Sequence, residues 1–160
     1  MLTLSPISPE VFPWLCRVLR DETVKLTYML PDLDETGARK LAERLAALSR
    51  DPRRFVRGIF VDGMPVGFLN DTEIQDTAIE LGWVVDPRHQ NHGYATEAVR
   101  LAAKELAEKG FTTLIAGAFS ENKASLRVME KAGMQKIPRQ EMIFYRGTDR
   151  LCIFYQMALI

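Results

Sequence analysis

One stretch constrains this chain more than any other. An apolar run, Ile79-Glu80-Leu81-Gly82-Trp83-Val84-Val85, is closed by Asp86-Pro87 and leads into Arg88-His89-Gln90-Asn91-His92-Gly93-Tyr94-Ala95-Thr96-Glu97-Ala98. The order is strand, turn, glycine-containing loop, helix, which is the layout of a phosphate site. Backbone N–H groups at a loop and helix start have no intrahelical partners, and the helix dipole adds partial positive charge there. A pyrophosphate can therefore be held without a dedicated cation. Gly93 and Ala95 are the small residues that let the backbone approach.

The rest of the composition narrows the class. With 160 residues, 47% apolar and 26% charged, the chain is long enough for one domain with a sizeable core. Net charge is zero and the 21 basic residues are scattered, which gives no electrostatic footprint for nucleic acid. Cys16 and Cys152 lie far apart and match no metal spacing, so they read as core thiols of a protein in a reducing cytosol. The N-terminus lacks a basic region followed by a long apolar one, and no apolar run approaches the ~20 residues that span a bilayer. The expectation is a cytoplasmic protein with no membrane and no metal role.

In chain order, Leu2 and Leu4 alternate with Thr3 and Ser5 in a short strand ended by Pro6. Ser8 is the expected N-cap of a helix with Pro9 at its first position and Phe12, Leu15, Cys16 and Leu19 near helical spacing. Val24 to Leu33 is ambiguous. Asp34-Glu35-Thr36 with Leu41, Leu45 and Leu48 describes a second amphipathic helix, ending before Asp51-Pro52. These two helices either select substrate as a lid or cover a sheet edge. Phe55–Val61 and Met64–Leu69 read as strands joined at Asp62-Gly63, and a third strand follows a polar break from Asp71 to Thr77. In that third strand Ala78, Glu80, Gly82 and Val84 share a face, which sets a lone carboxylate beside a residue with no side chain.

Beyond the loop, Ala95, Ala98, Val99, Ala102 and Leu106 form a helix stripe that ends at Lys109-Gly110. Thr112–Phe119 is a strand expected to lie parallel to the one before the crossover helix. Ser120-Glu121-Asn122 opens a further helix with Leu126, Met129 and Ala132 inward and Gly133 at its end. Met134–Ile137, Glu141–Arg146 and Leu151–Leu159 read as strands, with a hairpin near Gly147.

These residues resemble a known family. Gln90-Asn91-His92-Gly93-Tyr94-Ala95 matches the GNAT N-acetyltransferase signature, (Gln or Arg)-x-x-Gly-x-(Gly or Ala), between strand and helix. Downstream, Glu121-Asn122-Lys123-Ala124-Ser125 through Glu130-Lys131-Ala132-Gly133-Met134 looks like the second family motif. It is most similar to the branch of ribosomal-protein N-terminal acetyltransferases. A nucleoside-triphosphate loop would need a lysine and hydroxyl after its second glycine, and a dinucleotide fold its three-glycine fingerprint; neither is here. The resemblance implies the α/β (α+β) GNAT acyl-CoA acyltransferase fold in one domain over 1–160. In that fold a mixed, mostly antiparallel sheet of about seven strands, flanked by about four helices, splays around the cofactor.

The resemblance also implies a donor and a chemistry. The donor would be acetyl-coenzyme A (acetyl-CoA), lying where the strands through Val84 and Ala116 splay apart. Its pyrophosphate would rest on the N–H groups from Asn91 to Thr96, with the Thr96 hydroxyl assisting. The pantetheine arm would pair along Trp83, Val84 and Val85 like an added strand, and Asn122 would bond it from the other side. Lys123, Arg127 or Lys131 either meets the 3′-phosphate or belongs to a solvated helix face. The reaction implied is direct attack of a neutral amine on the thioester, with an oxyanion donor and a proton for the departing thiolate. Glu80 is the candidate base, taking the ammonium proton through water, unless it serves a structural cation. A backbone N–H near Val84 or Val85 is the candidate oxyanion donor.

The chain departs from the family pattern at one place. Met129 stands where a tyrosine often protonates the thiolate, and methionine cannot donate a proton. Ser125, on a neighbouring helical face, is the alternative acid, or else only a hydrogen-bonding hydroxyl. His89 and His92 lie in the loop and read as peripheral. A non-catalytic acyl-coenzyme A sensor and a purely structural module are the competing readings. The amine acceptor, a small molecule or a protein N-terminus, is not legible, and a homodimer through the C-terminal strands is the expectation for assembly.

Overall fold

A computed structural model describes residues 1–160. Seven strands hydrogen-bond in the order β1 (Leu2–Ser5), β2 (Val56–Val61), β3 (Met64–Gln75), β4 (Ala78–Val85), β5 (Thr113–Phe119), β7 (Thr148–Ala158), β6 (Gln135–Tyr145). The β4–β5 pair is parallel, from Ala78↔Thr113 to Glu80↔Ile115. The β1–β2, β2–β3, β5–β7 and β6–β7 pairs are antiparallel, so the mixed, mostly antiparallel sheet is as expected. Five helices accompany it: α1 (Phe12–Leu19), α2 (Glu22–Thr27), α3 (Glu35–Leu48), α4 (Tyr94–Glu108) and α5 (Lys123–Lys131). No helix is long and apolar enough to cross a membrane.

The chain packs as two compact units, Met1–Asp71 with Trp83–Tyr94, and Thr72–Gly82 with Ala95–Ile160. In the first, Leu15, Val18 and Leu19 of α1, Ala42 and Leu45 of α3, and Val56, Phe68 and Val84 bury together. Asp34 caps α3 by accepting from Gly37 N–H at 2.7 Å. Ser8 corrects the expectation made for it. Its hydroxyl donates to Glu10 at 3.0 Å instead of capping the backbone. Residues Pro9–Val11 form a separate 3₁₀ turn, and α1 begins only at Phe12, with Pro13 in its first turn. The ambiguous segment contains α2, which Asp21 caps through Thr23 N–H at 2.8 Å and Val24 N–H at 3.1 Å.

A second correction concerns the polar break. Strand β3 runs on through Thr72, Glu73, Ile74 and Gln75 before turning at Asp76-Thr77. These residues are exposed, and hydrogen bonding to a neighbouring strand extends β3 where burial does not. A third concerns the C-terminal strands: Gln135–Tyr145 is one strand, with a register irregularity between Lys136 and Gln140. The expected gap there is a bulge, and Pro138 sits inside it, where a missing N–H costs no ladder bond. Arg146 and Gly147, at φ +51° and +79°, turn the hairpin into β7.

Candidate functional site

In the first unit, β4 ends against a glycine. A Cβ on Gly67 would stand 2.3 Å from the Val84 carbonyl oxygen, so that oxygen occupies the place of a side chain. A trans peptide points its N–H opposite its C=O, which turns Val85 N–H away from β3. The Val84 carbonyl thus requires glycine at position 67, though nothing in the local sequence pattern announces it.

Asp86 follows, and its side chain is fully buried. One carboxylate oxygen accepts from Trp14 Nε1 at 2.9 Å and Arg17 Nη2 at 2.6 Å, and the other from Arg88 N–H at 3.0 Å. Burial alone would raise its pKa. The donors of Arg17, the Arg88 backbone and Trp14 outweigh that and hold the carboxyl below its ordinary range. The same residue caps the 3₁₀ turn Pro87–His89, whose last N–H donates to the Asp86 carbonyl at 2.8 Å. An aspartate before proline at a strand end signals such a turn; its partners on α1, far away in sequence, give no signal.

The loop then runs exposed from Gln90 to Gly93. Gln90 reaches back to the Val85 carbonyl at 3.4 Å. Asn91 and Gly93 both take left-handed backbone, at φ +67° and +75°, a conformation that occurs in the anion-binding concavities built from successive N–H groups. A Cβ on Gly93 would meet nothing within 4 Å, so it is the left-handed backbone and not crowding that favours glycine here. The rings of His92 and Tyr94 stack at 5.2 Å. Helix α4 starts at Tyr94, so its first N–H groups lack intrahelical acceptors. Thr96 and not Ala95 is buried in its first turn, with Ala98 and Val99 completing the stripe. The loop and helix start have what a pyrophosphate needs.

Also in this unit, α1, α3 and Arg88 line a cleft of about 1020 Å³. Cys16 opens onto it and is half-buried, not the core thiol the sequence suggested. Burial raises its pKa against the opposing pull of Arg39 and Arg20.

In the second unit, Glu80 meets two partners. Arg139 Nη1 lies 3.2 Å from one carboxylate oxygen, and the Thr72 hydroxyl donates to the other at 2.8 Å. Glu80 therefore finds a cation. Arg139 is shared: it also holds Glu141 at 2.6 Å and lies 3.8 Å from the ring centre of Phe154. The bulge in β6 places Arg139 there, a relation invisible across 59 residues of sequence. Cys152 is buried among Phe119 and Phe154. Burial first, then Glu141 and Glu80, push its thiol up to about 11, which disfavours the thiolate that a nucleophile needs.

Asn122 and Ser125 come together at the start of α5. Asn122 caps the helix, accepting from Ser125 N–H at 3.3 Å, while its amide donates to the Ser125 hydroxyl oxygen at 3.0 Å. The hydroxyl proton is left to point elsewhere. Met129 is fully buried. Lys123, Arg127 and Lys131 are exposed, and the Lys131 carbonyl accepts from Arg100.

Comparison with known proteins shows the family to which the chain belongs. Residues 1–135 match the acetyltransferase (GNAT) domain family. The uncharacterized N-acetyltransferase YnaD of Bacillus subtilis (strain 168) is 44% identical over 62 residues, a match spanning 36% of this chain and 34% of that protein. Among solved structures, RimL, a ribosomal L7/L12 alpha-N-protein acetyltransferase in complex with coenzyme A, superposes with TM-score 0.87 at 16% identity, covering 99% of this chain and 94% of that one. Spermidine N-acetyltransferase from Vibrio cholerae, in complex with CoA and spermine, gives 0.85 at 14% identity, covering 99% and 95%. The match over residues 1–135, most of the chain, settles the family: this protein belongs to the GNAT acetyltransferase domain family.

Proposed function

We propose that this protein is an N-acetyltransferase that moves the acetyl group of acetyl-CoA to a primary amine by direct attack within a ternary complex. The observation that carries it is the loop, with left-handed Asn91 and Gly93 leading into the bare start of α4. Backbone N–H groups from Asn91 to Thr96 hold the pyrophosphate, and the Thr96 hydroxyl assists. Trp83, Val84 and Val85 pair with the pantetheine amides. The Val85 N–H, turned away by Gly67, is the oxyanion donor. Asn122 bonds the pantetheine arm with whatever capacity its capping role leaves. Ser125, oriented by Asn122, gives its proton to the departing thiolate while a water returns to it the second proton that the amine nitrogen loses as the amide forms.

Glu80 takes the ammonium proton. Arg139 can stay with Glu141 while a carboxylate oxygen of Glu80 turns to a water or the amine, so the ion pair positions the base without consuming it. The acceptor is a small-molecule amine or a protein N-terminal amine. The second of these would put the chain with the RimJ/RimL-like branch, as the Asn122–Gly133 motif suggests. We place the protein in the cytoplasm, as a homodimer through its C-terminal strands.

The ion pair at Glu80 and the buried Met129 favour a second reading, an acyl-coenzyme A sensor without turnover. Purified protein incubated with acetyl-CoA and a panel of amines, small and peptidic, decides between them. Thiol release with an acetyl mass shift on one amine supports the enzyme. Tight coenzyme A binding by calorimetry with no thiol release above background for any amine would establish the sensor.

A further inference from the structure

The phosphate loop has few anchors of its own. Gln90 to Gly93 are exposed, and the one side-chain bond from within them to the strand behind is the long contact from Gln90 to the Val85 carbonyl. A loop must nonetheless present its N–H groups in a fixed geometry, because every conformation it samples when empty is entropy that binding has to remove. What fixes it lies just before, at Asp86.

Asp86 is satisfied on every side. Its carboxylate joins Trp14 and Arg17 of α1 to the N–H of Arg88, its backbone N–H donates to Val66 at 2.8 Å, and its carbonyl accepts from His89. Four elements of the first unit meet in one residue: α1, β3, the end of β4 and the turn that launches the loop. Trp14 and Arg17 lie on one face of α1, next to Leu15 and Val18, which are fully buried, so the helix presenting these donors is itself fixed by the core.

We infer that Asp86 is a positioning residue for donor binding: with Trp14 and Arg17 it fixes the turn Pro87–His89 so that the loop N–H groups stand ready for pyrophosphate. Touching neither substrate nor reacting atoms, it acts through the loop. The inference rests on the reading that this loop grips the pyrophosphate, and it assigns to α1 a part in donor affinity that the loop motif does not contain.

The test separates pyrophosphate recognition from general integrity by using two ligands. Coenzyme A carries the pyrophosphate; pantetheine keeps the arm and the thiol but lacks it. Dissociation constants for both are measured by calorimetry on wild type, Asp86→Asn, Arg17→Lys and Trp14→Phe, with melting temperatures alongside. Wild type should prefer coenzyme A. Asp86→Asn should weaken coenzyme A about tenfold or more and leave pantetheine unchanged, because only the preset loop is lost. Trp14→Phe, which removes one donor and keeps the ring, should weaken coenzyme A by about threefold, and Arg17→Lys should fall between. If Asp86→Asn does not fold, the two milder variants carry the result. Equal loss for both ligands, or unchanged coenzyme A affinity in the folded variants, overturns the inference while leaving the loop's role standing. A wild type that does not distinguish the two ligands removes the loop reading itself, and the inference with it.

Discussion

Asp86 and Glu80 each face an arginine, and the two pairs differ in how much of the carboxylate is committed. Asp86 has no exposed surface, an arginine at 2.6 Å, an indole and a backbone N–H. Glu80 keeps 18% of its side chain exposed, stands 3.2 Å from an arginine shared with Glu141, and accepts one threonine hydroxyl. A saturated, buried carboxylate builds structure, since removing it strands several donors at once. A carboxylate with a shared partner and open surface can change partners during a reaction. Residue type and an arginine neighbour do not separate the two roles; saturation does.

The largest effect should therefore be structural and fall on Asp86. Asp86→Ala is expected to cost about 3 kcal/mol in urea unfolding, because it leaves the Trp14 and Arg88 N–H groups and a partly buried guanidinium without their acceptor. The cost is pH-dependent. A carboxyl held below its ordinary value in the folded state contributes stability that is complete above the unfolded pKa and is lost as pH falls through the lower folded one. With an ordinary value of 3.8, the stability gap between wild type and Asp86→Asn should be flat above about pH 5 and shrink on acidification below about pH 4. A gap that widens in acid would reverse the assignment.

Next in size is Glu80→Gln, where turnover should fall by roughly 10²-fold at neutral pH while urea stability changes by less than about 1 kcal/mol. A large stability loss here would make the two carboxylates alike. Ser125→Ala should lower kcat by about tenfold with donor affinity held, since Asn122 still caps α5 through the Ser125 backbone; affinity falling before kcat would make the hydroxyl a binding group. The smallest effect belongs to Gly93→Ala, whose left-handed φ of +75° strains any side chain. At about 1 kcal/mol it should weaken coenzyme A about fivefold. Because a Cβ there meets only open space, unchanged affinity would show that the loop adopts another conformation when it binds.

What the sequence disclosed follows the same division. The loop, the α4 stripe and the Asp62-Gly63 hairpin were legible because their determinants are neighbours in the chain. The start of α3 at Asp34-Glu35-Thr36 was legible for the same reason. Helix α2 was not, because six residues with Leu26 half exposed leave no stripe. The tail of β3 was missed because strand pairing, not burial, extends it. Glu80 was identified as a carboxylate needing either a cation or a reaction, but Arg139 reaches it only through a bulge that hydrophobic spacing does not encode. Trp14 and Arg17 lie outside the Phe12, Leu15, Cys16 and Leu19 spacing that marked the helix. Their partner sits 72 and 69 residues away, and no local pattern reports a bond of that range.

The most direct test is a pH profile of kcat/KM for wild type and Glu80→Gln with a confirmed amine acceptor. If Glu80 removes the ammonium proton, the variant's deficit should be greatest near neutrality and narrow toward the amine's own pKa, where solvent supplies the free base. Two parallel profiles with equal rates would contradict the account, leaving Glu80, like Asp86, a carboxylate that holds the fold.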